Sequence, residues 1–150
     1  MFITVFCGML DAASGECVYA CGGHNPPWIL RRSGSVEVLP KGEGGLIGMS
    51  PDQFFEVVTS KLEPGDVLLA CTDGVFEAEN PEQVLYGEER IAERLRSLAG
   101  RGPEEIVRAL REDVSAFSGS APQSDDITIL ALAFRGRKSG TASQSFQPSR

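Results

Sequence analysis

The polarity pattern changes character near Gly87, and the change sorts the chain's elements by type. Before it, apolar residues alternate or run together in short stretches: Phe2–Leu10, Glu16–Cys21, Trp28–Arg31, Val36–Leu39, Phe54–Leu62 and Val67–Cys71. Turn signals close each stretch, which predicts strands. Asp11-Ala12-Ala13-Ser14-Gly15 joins the first two as a hairpin, with Gly15 free to take a positive φ, and Ser33-Gly34 joins the next two. After Gly87 the period lengthens. Ile91, Leu95 and Leu98 predict a helix over Gly87–Leu98 that ends at Gly100. A second helix, Pro103–Phe117, has Pro103 in its first turn and Glu104 and Glu105 complementing its dipole; Ile106, Leu110, Val114 and Phe117 line one face. A last strand, Asp126–Arg135, closes the pattern. Strands first, mostly antiparallel, with a single helical layer make an α+β domain. Gly136–Arg150 is rich in Gly, Ser and Gln without periodicity and is expected to be a disordered tail.

The strands carry more apolar surface than two helices cover. Phe2–Leu10 shows Phe2, Phe6 and Leu10 to one side and Ile3, Val5 and Met9 to the other, as suits a strand in the middle of a layered structure. Either two sheets pack together with one outer face bare, or another segment supplies a further layer.

Composition narrows the function classes. With 150 residues, 41% hydrophobic and 23% charged, the chain suits one globular domain with a real core. A net charge of −7 and the lack of a basic cluster exclude nucleic acid as the expected partner. No apolar run nears the ~20 residues that span a bilayer, and no signal peptide is visible, so no membrane role is expected. Cys17 and Cys21, four apart on one strand, would have Cα atoms about 13 Å apart, beyond the ~7 Å limit for a disulfide. Cys7, Cys17, Cys21 and Cys71 therefore read as reduced core thiols of a cytoplasmic protein. Lys41–Met49 holds four glycines but no Gly-Lys-Ser/Thr ending, so no nucleotide is assigned to it.

Chemistry concentrates at two acidic strand ends. Val67–Cys71 is an unbroken apolar run, read as a strand buried on both faces, and it leads directly into Thr72-Asp73-Gly74. Ser124-Asp125-Asp126 opens the last strand. A carboxylate at either place serves as a turn cap. Two such strand ends side by side would instead offer hard-oxygen ligands to one Mg²⁺ or Mn²⁺. Both readings stand on residue pattern alone.

Seven segments also occur together in a known order: Phe2–Phe6 (FITVF), Gly22–Pro26 (GGHNP), Leu46–Gly48 (LIG), Leu62–Asp66 (LEPGD), Thr72–Glu77 (TDGVFE), Tyr86–Ile91 (YGEERI) and Asp125–Thr128 (DDIT). The chain resembles the stage II sporulation E-like protein phosphatases, of the metal-dependent PP2C (PPM) type, from Phe2 to about Arg135. The resemblance implies an α-β-β-α sandwich and two Mn²⁺ or Mg²⁺ ions that activate water for in-line attack on a phosphoserine or phosphothreonine ester, without a covalent phospho-enzyme. It assigns Asp73 and Asp125 as ligands of the second metal, with Asp126 and Gly74 as support. His24 matches a structural Gly-His-x-Pro turn, so a turn role outweighs a general-acid role there, and a solvated loop suits Glu77 and Glu79. The family's earlier G-D-x-x-D and D-V-S-G-x-G motifs, whose acidic residues bridge both metals, are not in this sequence. The expected sandwich over 1–135 is therefore incomplete, lacking that metal-binding segment and one helical layer. Two functions follow from it. One is a phosphatase domain acting on a regulatory phosphoprotein such as an anti-sigma-factor antagonist; the other is a non-catalytic partner-binding module. A homodimer or a complementing N-terminal segment is expected to cover the bare face.

Overall fold

In the computed structural model, which describes residues 2–136, two small sheets stack face to face and helices cover only one of them. Strands β1 (Val5–Leu10), β2 (Glu16–Gly22) and β5 (Val58–Lys61) form one sheet in the order β1-β2-β5. Strands β3 (Trp28–Leu30), β4 (Val36–Val38), β6 (Val67–Cys71) and β7 (Ile129–Ala133) form the other, in the order β4-β3-β6-β7. Every neighbouring pair is antiparallel. Helices α1 (Gly87–Ser97) and α2 (Pro103–Ser118) lie on the four-stranded sheet. The expected tail falls outside the described residues except for Gly136.

The unbroken apolar run of β6 has a simple cause: both of its faces are buried. Val67, Leu69 and Cys71 join Trp28 and Leu30 against Ile91 and Leu95 of α1 and Ile106, Leu110 and Val114 of α2. Leu68 points the other way, into a second core with Ile29, Cys17, Tyr19, Cys21, Leu62 and Phe134. Each such side chain contributes about 1.5–3 kcal/mol on burial. The first hairpin turns as expected. Gly15 takes φ +80°, and a Cβ there would lie 2.2 Å from the Leu62 carbonyl oxygen.

The outer face of the three-stranded sheet is bare among the described residues. Met9 is 73% exposed, Val57 is 65% exposed, and Cys7 is exposed beside them. This corrects the reading of Cys7 as a core thiol. Cys7 sits on the outward face of β1, where no layer covers it, whereas Cys17, Cys21 and Cys71 are buried. The strand expected over Phe54–Leu62 is also shorter. Phe55 makes only an isolated bridge to Gly44, and regular pairing runs from Val58 to Lys61.

Asp66 is the one buried charged residue among those described. It enters β6 with 1% exposure and accepts hydrogen bonds from Arg31 Nη1 (2.8 Å), the Arg32 amide (3.0 Å) and the Glu63 amide (2.8 Å). Burial pushes its pKa up, but the Glu63 amide, the Arg31 guanidinium and the Arg32 amide outweigh burial and hold it below the usual carboxylate value.

Candidate functional site

The site lies where β6 ends and β7 begins. Thr72 makes the junction. Its amide donates to the Thr128 carbonyl (3.1 Å), its hydroxyl donates to the Asp126 carbonyl (2.8 Å), and that hydroxyl accepts from the Thr128 amide (2.9 Å). A short 3-10 turn, Asp73–Val75, follows at once. Gly74 is buried in it, and a Cβ there would stand 2.6 Å from the Asp126 carbonyl oxygen and 3.2 Å from that of Asp125. Only glycine lets the Asp73 turn approach the Asp125-Asp126 backbone this closely.

Both candidate ligands are exposed, and each carboxylate caps its own turn. Asp73 Oδ1 accepts from the Gly74 amide (3.0 Å), and Asp125 Oδ1 accepts from the Asp126 amide (2.6 Å). Gln123 Nε2 donates to the Asp125 carbonyl at 2.7 Å and fixes that loop. Asp126 enters the arrangement through its main-chain carbonyl, while its side chain is exposed. His24 is half-buried in the link from β2 to β3. The β3–β6 register, Trp28 opposite Leu69 and Leu30 opposite Val67, puts the start of β3 beside the end of β6. His24 therefore lies at the same end of the sandwich, with no hydrogen bond to either aspartate among the described residues. Glu77 and Glu79 are exposed.

Cys71 borders the site but does not serve it as a nucleophile. Burial, then the charges of Glu88 and Asp73, push its thiol up to about 11, so it stays protonated at neutral pH. In donor chemistry the aspartate pair suits a hard divalent ion. In number it falls short: among the described residues no three His, Cys, Asp or Glu side chains gather as a metal set. Most of an ion's shell would be left to water or to further groups. Sequence reasoning missed Thr72 as the clamp, although the threonine of each motif, Thr72 and Thr128, carries the signal.

Comparison with known proteins gives the family and the fold. The family description "Stage II sporulation protein E (SpoIIE)" matches residues 1–135. Protein IcfG of Synechocystis is 33% identical over 132 residues, covering 88% of this chain and 20% of IcfG. Phosphoserine phosphatase RsbU of Bacillus subtilis is 24% identical over 135 residues, covering 88% of this chain and 39% of RsbU. The fold matches the Bacillus subtilis SpoIIE phosphatase domain with a TM-score of 0.69 at 24% identity, covering 93% of this chain and 61% of that one. A structure of the SpoIIE PP2C phosphatase domain with a regulatory fragment matches with a TM-score of 0.73 at 26% identity, covering 87% of this chain and 37% of that one. The chain thus spans less than half the length of these curated relatives and about three-fifths of the solved phosphatase domain. PP2C-type phosphatases are generally metal-dependent. The chain belongs to the stage II sporulation protein E family and has the partial α+β fold of its PP2C-type phosphatase domain.

Proposed function

We propose that this chain is the later part of a phosphoserine/phosphothreonine protein phosphatase domain, and that its substrate is a phosphorylated regulatory protein such as an anti-sigma-factor antagonist. The observation that carries the reading is the clamp of Thr72 on Asp126 and Thr128, which fixes two aspartate turns side by side across strands far apart in sequence. A turn-capping role alone needs no such pairing. RsbU, one of the relatives, is named a phosphoserine phosphatase.

Asp73 and Asp125 would hold Mn²⁺ or Mg²⁺ together with acidic residues from a complementing segment, and the bound ions would supply activated water and charge stabilisation. The chain's own part is to fix the two carboxylates, exclude a side chain at Gly74 and keep Cys71 neutral. A second reading, a partner-binding module without catalysis, draws on the same two carboxylates each satisfying its own turn. The cytoplasm fits either reading.

Hydrolysis of p-nitrophenyl phosphate with Mn²⁺ separates the two. The chain alone should release no phosphate above background. Activity should appear on adding a polypeptide that carries the G-D-x-x-D and D-V-S-G-x-G motifs, and Asp73→Asn should abolish it. Turnover by the chain alone at the rate of a complete relative, or an assembled but inactive complex, would overturn the proposal.

A further inference from the structure

The turn that carries Asp73 is held at both ends. Thr72 ties its entry to the start of β7. Its exit is tied as well. The amides of Phe76 and Glu77 donate back to the Asp73 carbonyl. The chain then loops out through a turn at Asn80 and comes back alongside itself. Glu79 bridges Leu85, the Tyr86 amide donates to the Ala78 carbonyl (2.8 Å), and the Gly87 amide donates to the Phe76 carbonyl (2.8 Å). The segment leaving the site is therefore stitched to the Tyr86-Gly87 corner, where α1 begins.

One side chain anchors that corner to the second helix. Tyr86 is 1% exposed, its ring meets Phe117 of α2 edge-on at 5.3 Å, and its hydroxyl donates to Asp113 Oδ2 of α2. A phenylalanine would fill the same space, so the hydroxyl adds one thing, a directional bond to a carboxylate on α2. Burial and that bond push the hydroxyl's pKa above the ordinary tyrosine value, which keeps it a donor. The other oxygen of Asp113 lies 3.6 Å from Arg94 Nε of α1. Arg90 of α1 completes the corner. Its Nη1 donates to the Leu85 (3.1 Å) and Tyr86 (3.0 Å) carbonyls, and its guanidinium lies 4.6 Å from the centre of the Phe117 ring.

We propose that Tyr86 is a positioning residue for Asp73. Its hydroxyl, bonded to Asp113, fixes the Tyr86-Gly87 corner on α2, and the corner's main-chain bonds to Phe76 and Ala78 fix the exit of the turn that aims the Asp73 carboxylate. The inference rests on the reading of Asp73 as a cation ligand. The Tyr86 side chain bonds Asp113 and not Asp73, so it acts through the main chain. Packing of the ring against Phe117 is non-directional and leaves the corner's height on α2 free to drift; the hydroxyl bond removes that freedom. A ligand site tolerates only about 0.5 Å of misplacement, so a loosened exit should weaken a cation that Asp73 helps to hold.

The test is Tyr86→Phe, which removes the hydroxyl and keeps the ring. Paramagnetic broadening by Mn²⁺ at the Gly74 and Asp126 amides reads affinity, and hydrogen exchange at the Phe76 and Glu77 amides reads the turn. Exchange should quicken, and the Mn²⁺ concentration for half-maximal broadening should rise about three- to tenfold. Asp113→Ala should do the same, and should carry the test if Tyr86→Phe folds poorly, because Asp113 is 40% exposed. Asp113→Asn, which keeps an acceptor for the hydroxyl, should stay near wild type. Tyr86→Phe combined with Asp113→Ala should lose no more than either alone. Ile106→Val, a core change away from the corner, should lower stability and leave Mn²⁺ affinity unmoved. Should it weaken Mn²⁺ as much as Tyr86→Phe does, the role is only structural and the proposal falls. Wild-type affinity and exchange in Tyr86→Phe would overturn the inference alone. Absence of Mn²⁺ broadening in the wild-type chain would overturn the reading of Asp73 as a ligand and this role with it.

Discussion

Asp66 and Asp73 stand at opposite ends of the same buried strand, and the protein treats them oppositely. Asp66 is 1% exposed and satisfies three donors from three different residues, one of them a guanidinium. Asp73 is exposed and takes only the amide of the next residue. A buried carboxylate with three donors, one of them charged, is part of the scaffold. One exposed to solvent, with a single amide donor, at a junction the fold clamps, is the candidate ligand of the proposed function. The difference separates two residues that look alike in sequence, one in Pro-Gly-Asp and the other in Thr-Asp-Gly.

The largest effect should come at the buried end. Asp66→Ala strands the Arg31 guanidinium and the Glu63 and Arg32 amides, and should cost about 3 kcal/mol in denaturant unfolding. Because its folded pKa lies below the unfolded value of 3.8, Asp66 contributes its full stability above that value. The contribution disappears as pH falls through the lower folded pKa, so the wild-type advantage over Asp66→Ala should shrink only in acid below about pH 4. An advantage that instead disappears near neutral pH would contradict the assignment.

The turn junction should respond less. Gly74→Ala puts a methyl 2.6 Å from the Asp126 carbonyl oxygen, which must move and so loosens the Thr72 clamp. The expected cost is about 1–3 kcal/mol, read from the unfolding midpoint. Thr72→Val keeps the shape but removes the hydroxyl that serves Asp126 and Thr128. About 1–2 kcal/mol should be lost, with faster exchange of the Thr128 amide. Should Thr72→Val leave that exchange unchanged, the clamp has no energetic role.

Most of the scaffold was legible because local pattern and tertiary burial agree. The run Val67–Cys71 is apolar because sheet and helices bury both its faces, and Pro103 with Glu104 and Glu105 marks the start of α2. Pattern failed where burial is absent. Phe54 and Val57 look like strand residues, yet they are 71% and 65% exposed and unpaired, since apolar character alone cannot supply a covering layer. Cys7 misled for the same reason. At the site, the motifs named Asp73 and Asp125 as candidates, but the clamp and the fate of Asp66 depend on contacts between segments distant in the chain. Arg31, 35 positions before Asp66, carries no local mark of its partner.

The central proposal is that Asp73 and Asp125, each accepting only the amide that follows it, also hold a cation. Titrating the chain with Mn²⁺ and following paramagnetic broadening of its amide resonances tests this without any need for turnover. Broadening should centre on Asp73–Gly74 and Ser124–Asp126 at weak affinity. Asp73→Asn should remove it while shifting stability by less than about 0.5 kcal/mol. Broadening centred elsewhere, or unchanged in Asp73→Asn, would contradict the claim.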